Sequence, residues 1–225
     1  MTIFIALVFL APAFADSFVL HPAGFGKNSY AAWKAGEGLT DNNGANHALY
    51  FQKLTATATF AAGVAVFKGF AGLPASDITT YTFWVRDDGH CGAGAPRFNV
   101  FTDTAGVRQN FFLGCFAMLA VGAPVMAPNG HFFQKKSGTP LQFFPSPPTG
   151  TIISIAIVFD EGTDAGVGFV HLDNIELDST STGAHIWTGP ADNADPADSA
   201  TIFDTAIIES LIGAPLTTLS VTTPF

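Results

Sequence analysis

Apolar and polar positions alternate with period two along much of the chain, and the segments that show it predict strands. Arg97 to Thr102 (Arg-Phe-Asn-Val-Phe-Thr) alternates as a strand with one buried face does. Tyr81 to Arg86 is aromatic and β-branched and runs into the turn Asp87-Asp88-Gly89. Asn110 to Phe116 predicts a further strand after the turn Thr102 to Gly106. Earlier, His47 to Leu54 predicts one strand and Val64 to Phe70 another, approached by the small residues Thr55 to Gly63 and followed by the reversal Gly72-Leu73-Pro74. Thr151 to Phe159 (Thr-Ile-Ile-Ser-Ile-Ala-Ile-Val-Phe) is apolar on both faces, which places it in the middle of a sheet. Gly168 to Leu177 predicts the last strand, in which strict alternation puts Phe169, His171, Asp173 and Ile175 on one face and Val170, Leu172, Asn174 and Glu176 on the other.

Elsewhere the pattern is weaker. Residues 16–46 are rich in Gly, Asn and Ala, with Tyr30 and Trp33 as isolated anchors. Between Ala117 and Pro148 the prolines allow only short strands, near Phe132 to Lys135 and Leu141 to Phe144, because proline cannot donate to a central ladder. Ser179 to Gly183 reads as a linker and Asp192 to Asp198 as an acidic loop. Ser199 to Ile212 reads as a short helix stopped by Gly213 and Pro215. The expected architecture is an all-β, two-sheet antiparallel sandwich over residues 16–178, followed by an acidic linker and partly helical tail over 179–225.

Composition supports this class: 48% of the 225 residues are hydrophobic and 12% charged, while 23 Gly and 14 Pro divide that core material with turns. The net charge of −9 is unevenly spread. Residues 1–136 hold all nine Lys and Arg and seven acids, a balance of +2; residues 137–225 hold eleven acids and no Lys or Arg, a balance of −11. Such a field repels phosphate backbones, so nucleic acid is not an expected partner and cations are. The apolar run Ile3 to Ala11 and the small-x-small Ala13-Phe14-Ala15 predict a signal peptide over residues 1–15, with the α-amino group as its positive end. A misassigned start or a buried N-terminal strand is the alternative. Every other apolar run is cut well short of the roughly 18 residues a membrane span needs, so a soluble secreted protein is expected. The oxidising compartment implied by the leader favours a disulfide between Cys91 and Cys115, against two separate buried thiols.

Catalytic signatures are sparse. Gly-x-Ser-x-Gly, His-Glu-x-x-His, Cys-x-x-Cys and Gly-x-x-x-x-Gly-Lys do not occur, and the six histidines are scattered. Asp87-Asp88 and Asp160-Glu161 are the acid pairs to weigh for glycoside hydrolysis, which needs two carboxyl groups facing each other across roughly 5 to 10 Å. Neighbours at a strand end point to opposite sides, which disfavours both pairs. Asp173 lies inside an apolar strand, where an unpaired carboxylate is costly, so it needs Arg86, Arg97 or a bound cation. Asp41-Asn42-Asn43-Gly44-Ala45-Asn46 is oxygen-rich enough for a hard cation such as calcium and equally suits an Asx turn. Aromatic faces stack on sugar rings and planar polar groups fix hydroxyls; Trp33, Tyr50, Trp84, Arg97, Asn99 and Trp187 are the candidates of those types.

Ile78 to Arg86, Gly166 to Leu177 with its Leu-Asp-Asn-Ile-Glu-Leu, and His47 to Phe51 resemble strands of the jelly-roll carbohydrate-binding modules, or galactose-binding-like domains. The resemblance spans about residues 17 to 178. It implies a two-sheet sandwich, often carrying a structural calcium held in part by the Asp of the last strand, here Asp173. The family's acid-bearing N-terminal calcium segment is absent, since Ala23-Gly24-Phe25-Gly26 carries no acid. The expected function is non-catalytic binding of extracellular polysaccharide or a cell-surface glycan, with calcium at Asp173 and Asp41. A self-associating structural protein and a glycoside hydrolase on the same scaffold are the alternatives.

Overall fold

The computed structural model describes residues 18–42, 44–190, 204–213, 215 and 221–222; the expected leader over residues 1–15 and the acidic loop over 192–198 lie outside them. In chain order the strands are β1 (Leu20–Phe25), β2 (Ser29–Lys34), β3 (Ala48–Lys53), β4 (Ala62–Phe67), β5 (Ile78–Arg86), β6 (Arg97–Thr104) and β7 (Val107–Gly114). They continue with β8 (Leu119–Met126), β9 (Phe132–Gly138), β10 (Thr151–Phe159), β11 (Phe169–Ser179), β12 (Gly183–Trp187) and β13 (Val221–Thr222); one helix, α1 (Thr205–Ile212), precedes β13. They form an all-β sandwich of two antiparallel sheets, one ordered β13-β1-β4-β10-β6-β7 and the other β2-β3-β11-β5-β9-β8, with β12 also paired to β11.

The strongest periodic segments form where expected. Thr151–Phe159 is β10 and lies between β4 and β6. Its apolarity on both faces has two causes. Ile155, Ile157 and Phe159 enter the core between the sheets, while Ala156 and Val158 lie under α1 with Val64, Val66 and Phe101. The helix starts where the Asp204 carboxylate accepts from the Ile207 N–H and ends at Gly213 in the left-handed region (φ 79°). Ile207, Ile208, Leu211 and Ile212 are its buried face.

Four expectations are corrected. Residues 20–34 form β1 and β2, which lack a readable pattern because small residues such as Ala31 share their inward positions with Leu20 and Trp33. Leu141 to Phe144 is not a strand: Pro140–Gln142 is a 3-10 turn, with Phe144 bridging to Phe112. Leu119–Met126 is a strand despite Pro124, which an edge position and a bulge between Val121 and Val125 accommodate. Ser179 to Gly183 is the β11–β12 hairpin turn rather than a linker. Asp77 accepts from the hydroxyls of Ser179, Thr180 and Ser181, and these bonds lower its pKa to about 2. With β12, α1 and β13 packed or paired onto the sheets, much of the described part of 179–225 belongs to the sandwich.

The strict alternation expected for β11 also fails, at Asp173–Asn174. Asp173 pairs with Trp84 but the next pair is Glu176 with Thr82, so three steps of β11 match two of β5. Asn174 absorbs the extra residue with φ 41°, in the left-handed region that Asn tolerates. Val170, Leu172, Ile175 and Leu177 therefore all face the core, and His171 and Asp173 take the outer face.

Cys91 and Cys115 are disulfide-bonded, with Cα atoms 5.2 Å apart, and tie the loop after β5 to the end of β7. No helix among the described residues is long and apolar enough to cross a membrane. Replacing both cysteines by Ser is expected to lower the unfolding free energy by about 3 kcal/mol through the freed loop entropy, seen as an earlier urea midpoint. An unchanged midpoint would show that the loop is held without the bond.

Candidate functional site

The register of the seven-stranded sheet builds a polar, aromatic patch on its outer face. Leu49 and Phe51 of β3 and Val170 and Leu172 of β11 point into the core, so their neighbours point out. Tyr30, Gln52 and Phe169 then form one row across β2, β3 and β11, and Ala32, Tyr50 and His171 form the next. Arg86 of β5 extends the second row, since Leu172 pairs with Val85.

Tyr50 is the centre of this patch. Its ring centroid lies 4.7 Å from that of His171 and 6.2 Å from those of Tyr30 and Phe169. Its hydroxyl donates to Gln52 Oε1 at 2.8 Å, and Lys34 Nζ stands 3.4 Å from the ring centroid as a cation–π contact. Arg86 is buried and holds two acids: Nε and Nη2 donate to the Asp88 carboxylate at 2.7 and 3.0 Å, and Nη1 donates to Glu37. His171 is buried too, and its Nδ1 has no hydrogen-bond partner. Burial, reinforced by the Arg86 charge, lowers its pKa to about 4, so the ring is neutral at pH 7.

Across the same face, the loop between β2 and β3 brings Asp41 and Asp173 together. Asp173 Oδ2 accepts from the Leu39 N–H and Oδ1 from the Asn174 N–H, both at 2.6 Å, so neither Arg86 nor Arg97 is its partner. Burial raises its pKa to about 7 against these two bonds, and the Asp41 charge adds to the rise. For Asp41 burial also acts upward, but N–H groups of Asn46 and His47 outweigh it and hold the carboxyl low. Asp41 Oδ1 is buried without a partner. A polar cavity of about 290 Å³ lies beside it, lined by Thr40, Asp41, Asn42, Asn174 and Thr188. The close approach depends on Gly38, where a Cβ would meet the His47 carbonyl oxygen at 2.0 Å and Asp173 Oδ2 at 2.6 Å. The Asp41 carboxylate with its orphaned oxygen and the polar cavity fit a hard cation, while Asp173 stands behind the cavity lining with both oxygens accepting N–H groups. The turn reading holds as well, since the Gly44 N–H donates to the Asp41 carbonyl oxygen.

The other candidates disperse. Trp84 shares the outer face but is half-buried against Leu39, Ala48, Ala127 and Phe133. Trp33 packs against the inter-sheet core, and Trp187 is 1% exposed within it, its Nε1 donating to the Phe18 carbonyl oxygen at 3.2 Å. A ring so enclosed offers no face to a ligand. Arg97 and Asn99 belong to the other sheet: Arg97 forks onto Asp160 (Nη2 to Oδ2, 2.7 Å) and bonds Asn99, which bonds Asn110. The acid pairs are similarly engaged. Asp88 grips Arg86, Asp87 Oδ1 lies 3.3 Å from His131 Nδ1, and Glu161 is paired with His90. Tyr30, Lys34, Glu37, Phe169 and His171 were not among the sequence candidates; the alternations Tyr30, Ala32, Lys34 in β2 and Phe169, His171, Asp173 in β11 were the available signals, and the register that aligns them with Tyr50 is not local.

Because native His171 resists protonation, the unfolded chain binds a proton between pH 6.5 and about 4 that the folded chain does not, and stability falls as pH drops through this window. Asp173 acts in the opposite sense, so the test is the difference between wild type and His171→Gln. That difference should shrink by about 2 to 3 kcal/mol from pH 7 to pH 4 in denaturant titrations, and a constant difference would refute the buried neutral imidazole. No family model matches this sequence, and no curated protein or solved structure shows significant similarity to it.

Proposed function

We propose that the protein is a secreted, non-catalytic binder of extracellular polysaccharide or cell-surface glycan, working through the outer face of its seven-stranded sheet. One observation carries this reading: Tyr30, Gln52, Phe169, Tyr50 and His171 stand in adjacent rows on a single sheet face, bordered by Lys34 and by Arg86 with its two acids. Tyr30 and Phe169, half-buried beside the buried rings of Tyr50 and His171, supply flat apolar surface for the C–H faces of sugars, and Gln52, Lys34, Glu37 and Asp88 supply directional donors and acceptors for hydroxyls. The jelly-roll carbohydrate-binding resemblance supports it, since two of the strands that carry the likeness, β5 and β11, are neighbours at this face. The disulfide is compatible with an extracellular setting.

A calcium ion held by Asp41 and Asp173 completes the proposal. When bound it neutralises the two carboxylates and pins the loop 35–47, whose Leu39 packs over the outer face beside Trp84.

Tyr30 and Phe169 are half-buried, so trimming them spares the core. On a glycan array, Tyr30→Ala and Phe169→Ala should each weaken binding about tenfold; wild type that binds no glycan, or variants that bind equally well, would defeat the reading. Added calcium should raise the melting temperature of wild type and leave that of Asp41→Asn unchanged, whereas equal responses would place any ion elsewhere.

A further inference from the structure

The strands at one edge of the sandwich contain no acid of their own. From Thr104 to Phe159 the chain contains no Asp or Glu, and its basic residues there are Arg108, Lys135 and Lys136. That stretch supplies β7, β8 and β9, which are the two adjoining outer strands β9 and β8 of one sheet and the outermost strand of the other. In a chain of net charge −9, these strands bring no carboxylate of their own to a second copy, and the neighbouring Asp87 and Glu176 stand beside His131 and Lys135.

The same edge is apolar. All eight residues of β8, Leu-Ala-Val-Gly-Ala-Pro-Val-Met, are exposed. Phe116 is 77% exposed, Leu119 66%, Met126 62%, Phe132 45%, and Val121 and Val125 44%. At roughly 100 Å² of buried area for each such side chain, with strand backbone added, the strip offers about 600 to 800 Å² per copy, the range of a stable protein interface.

We infer that two copies of this chain associate through the β8 edge about a two-fold axis. The contact is made by side chains rather than by a continued ladder. Three residues of β8, Gly122 to Pro124, oppose one of β9, Gly122 sits at φ 70°, and Pro124 has no N–H to give. The Gln134 side chain further occupies the carbonyl oxygens of Val121 and Gly122. An edge interrupted in this way does not template strand after strand, so the association closes at two copies instead of growing into fibres. β8 lies three strand spacings from β11, about 14 Å, so the pair leaves the patch around Tyr50 open on both copies. The inference stands without the glycan reading, although together they describe a bivalent binder.

The test is sedimentation velocity of the full chain, without glycan, from micromolar to near-millimolar concentration. Wild type and the control Ile186→Asp, whose residue is exposed on β12, should move toward twice the monomer mass. The double variant Leu119→Asp, Val125→Asp should remain at monomer mass, with its dimer dissociation constant raised at least about tenfold, and Met126→Lys should weaken the dimer independently. Because these side chains are exposed, the variants should keep the wild-type circular dichroism spectrum. Wild type that stays monomeric, a double variant that pairs as well as wild type, or assemblies larger than two copies would each overturn the inference.

Discussion

The break in β11 at Asp173–Asn174 is the constraint on which the rest of the molecule depends. Before it the strand pairs with β3, after it with β12, and β5 runs along its other side with the extra residue absorbed between Trp84 and Thr82. An uninterrupted strand would carry either Leu172 or Ile175 to the outer face. With the bulge, Val170, Leu172, Ile175 and Leu177 all reach the core. The carboxylate of Asp173 is left at the change of partner, where the N–H groups of Leu39 and Asn174 satisfy it. The core, the outer-face patch and the Asp41–Asp173 loop thus share one local irregularity.

Buried charge elsewhere follows the same logic of local satisfaction. Lys53 is 1% exposed, yet its ammonium donates to the carbonyl oxygens of Thr57, Thr59 and Asp160 at 3.0, 2.8 and 2.6 Å. Arg86 and Arg97 each fork onto carboxylates at opposite faces of the sandwich. These pairs cost desolvation and return it only in good geometry, so they define the shape of loops more than they add net stability. Asp41 Oδ1 and His171 Nδ1 are among several buried side-chain atoms that lack a hydrogen-bond partner, and each of these two lies at a place where the proposed function needs chemistry.

Two of the sheet edges are treated differently. The β1 side of the six-stranded sheet is extended by β13, and the face beside it is covered by α1. The β8 side is open and apolar, and β8 and β9 contain no acid, but the ladder is interrupted by Gly122 to Pro124. A surface of this kind favours side-chain docking while resisting strand addition.

The sequence by itself determined the fold class and the pairing of the cysteines, because both rest on local signals. Period-two alternation in β5, β6 and β10 and turn residues between them suffice for an antiparallel sandwich, and the two cysteines of the sequence leave one intramolecular disulfide to form. It also singled out Tyr50, Trp84, Asp41 and Asp173, all of which the structure places at the outer-face side of one sheet. Tertiary structure alone decided which aromatics are available. Trp187 fills the core, Arg97 and Asn99 lie on the other sheet, and Tyr30 and Phe169 stay half-buried around the buried Tyr50 because β11 aligns in register with β2 and β3, far from it in the chain. Register and bulges are set by the sum of cross-strand contacts and by a single residue's φ, and no window of sequence contains either.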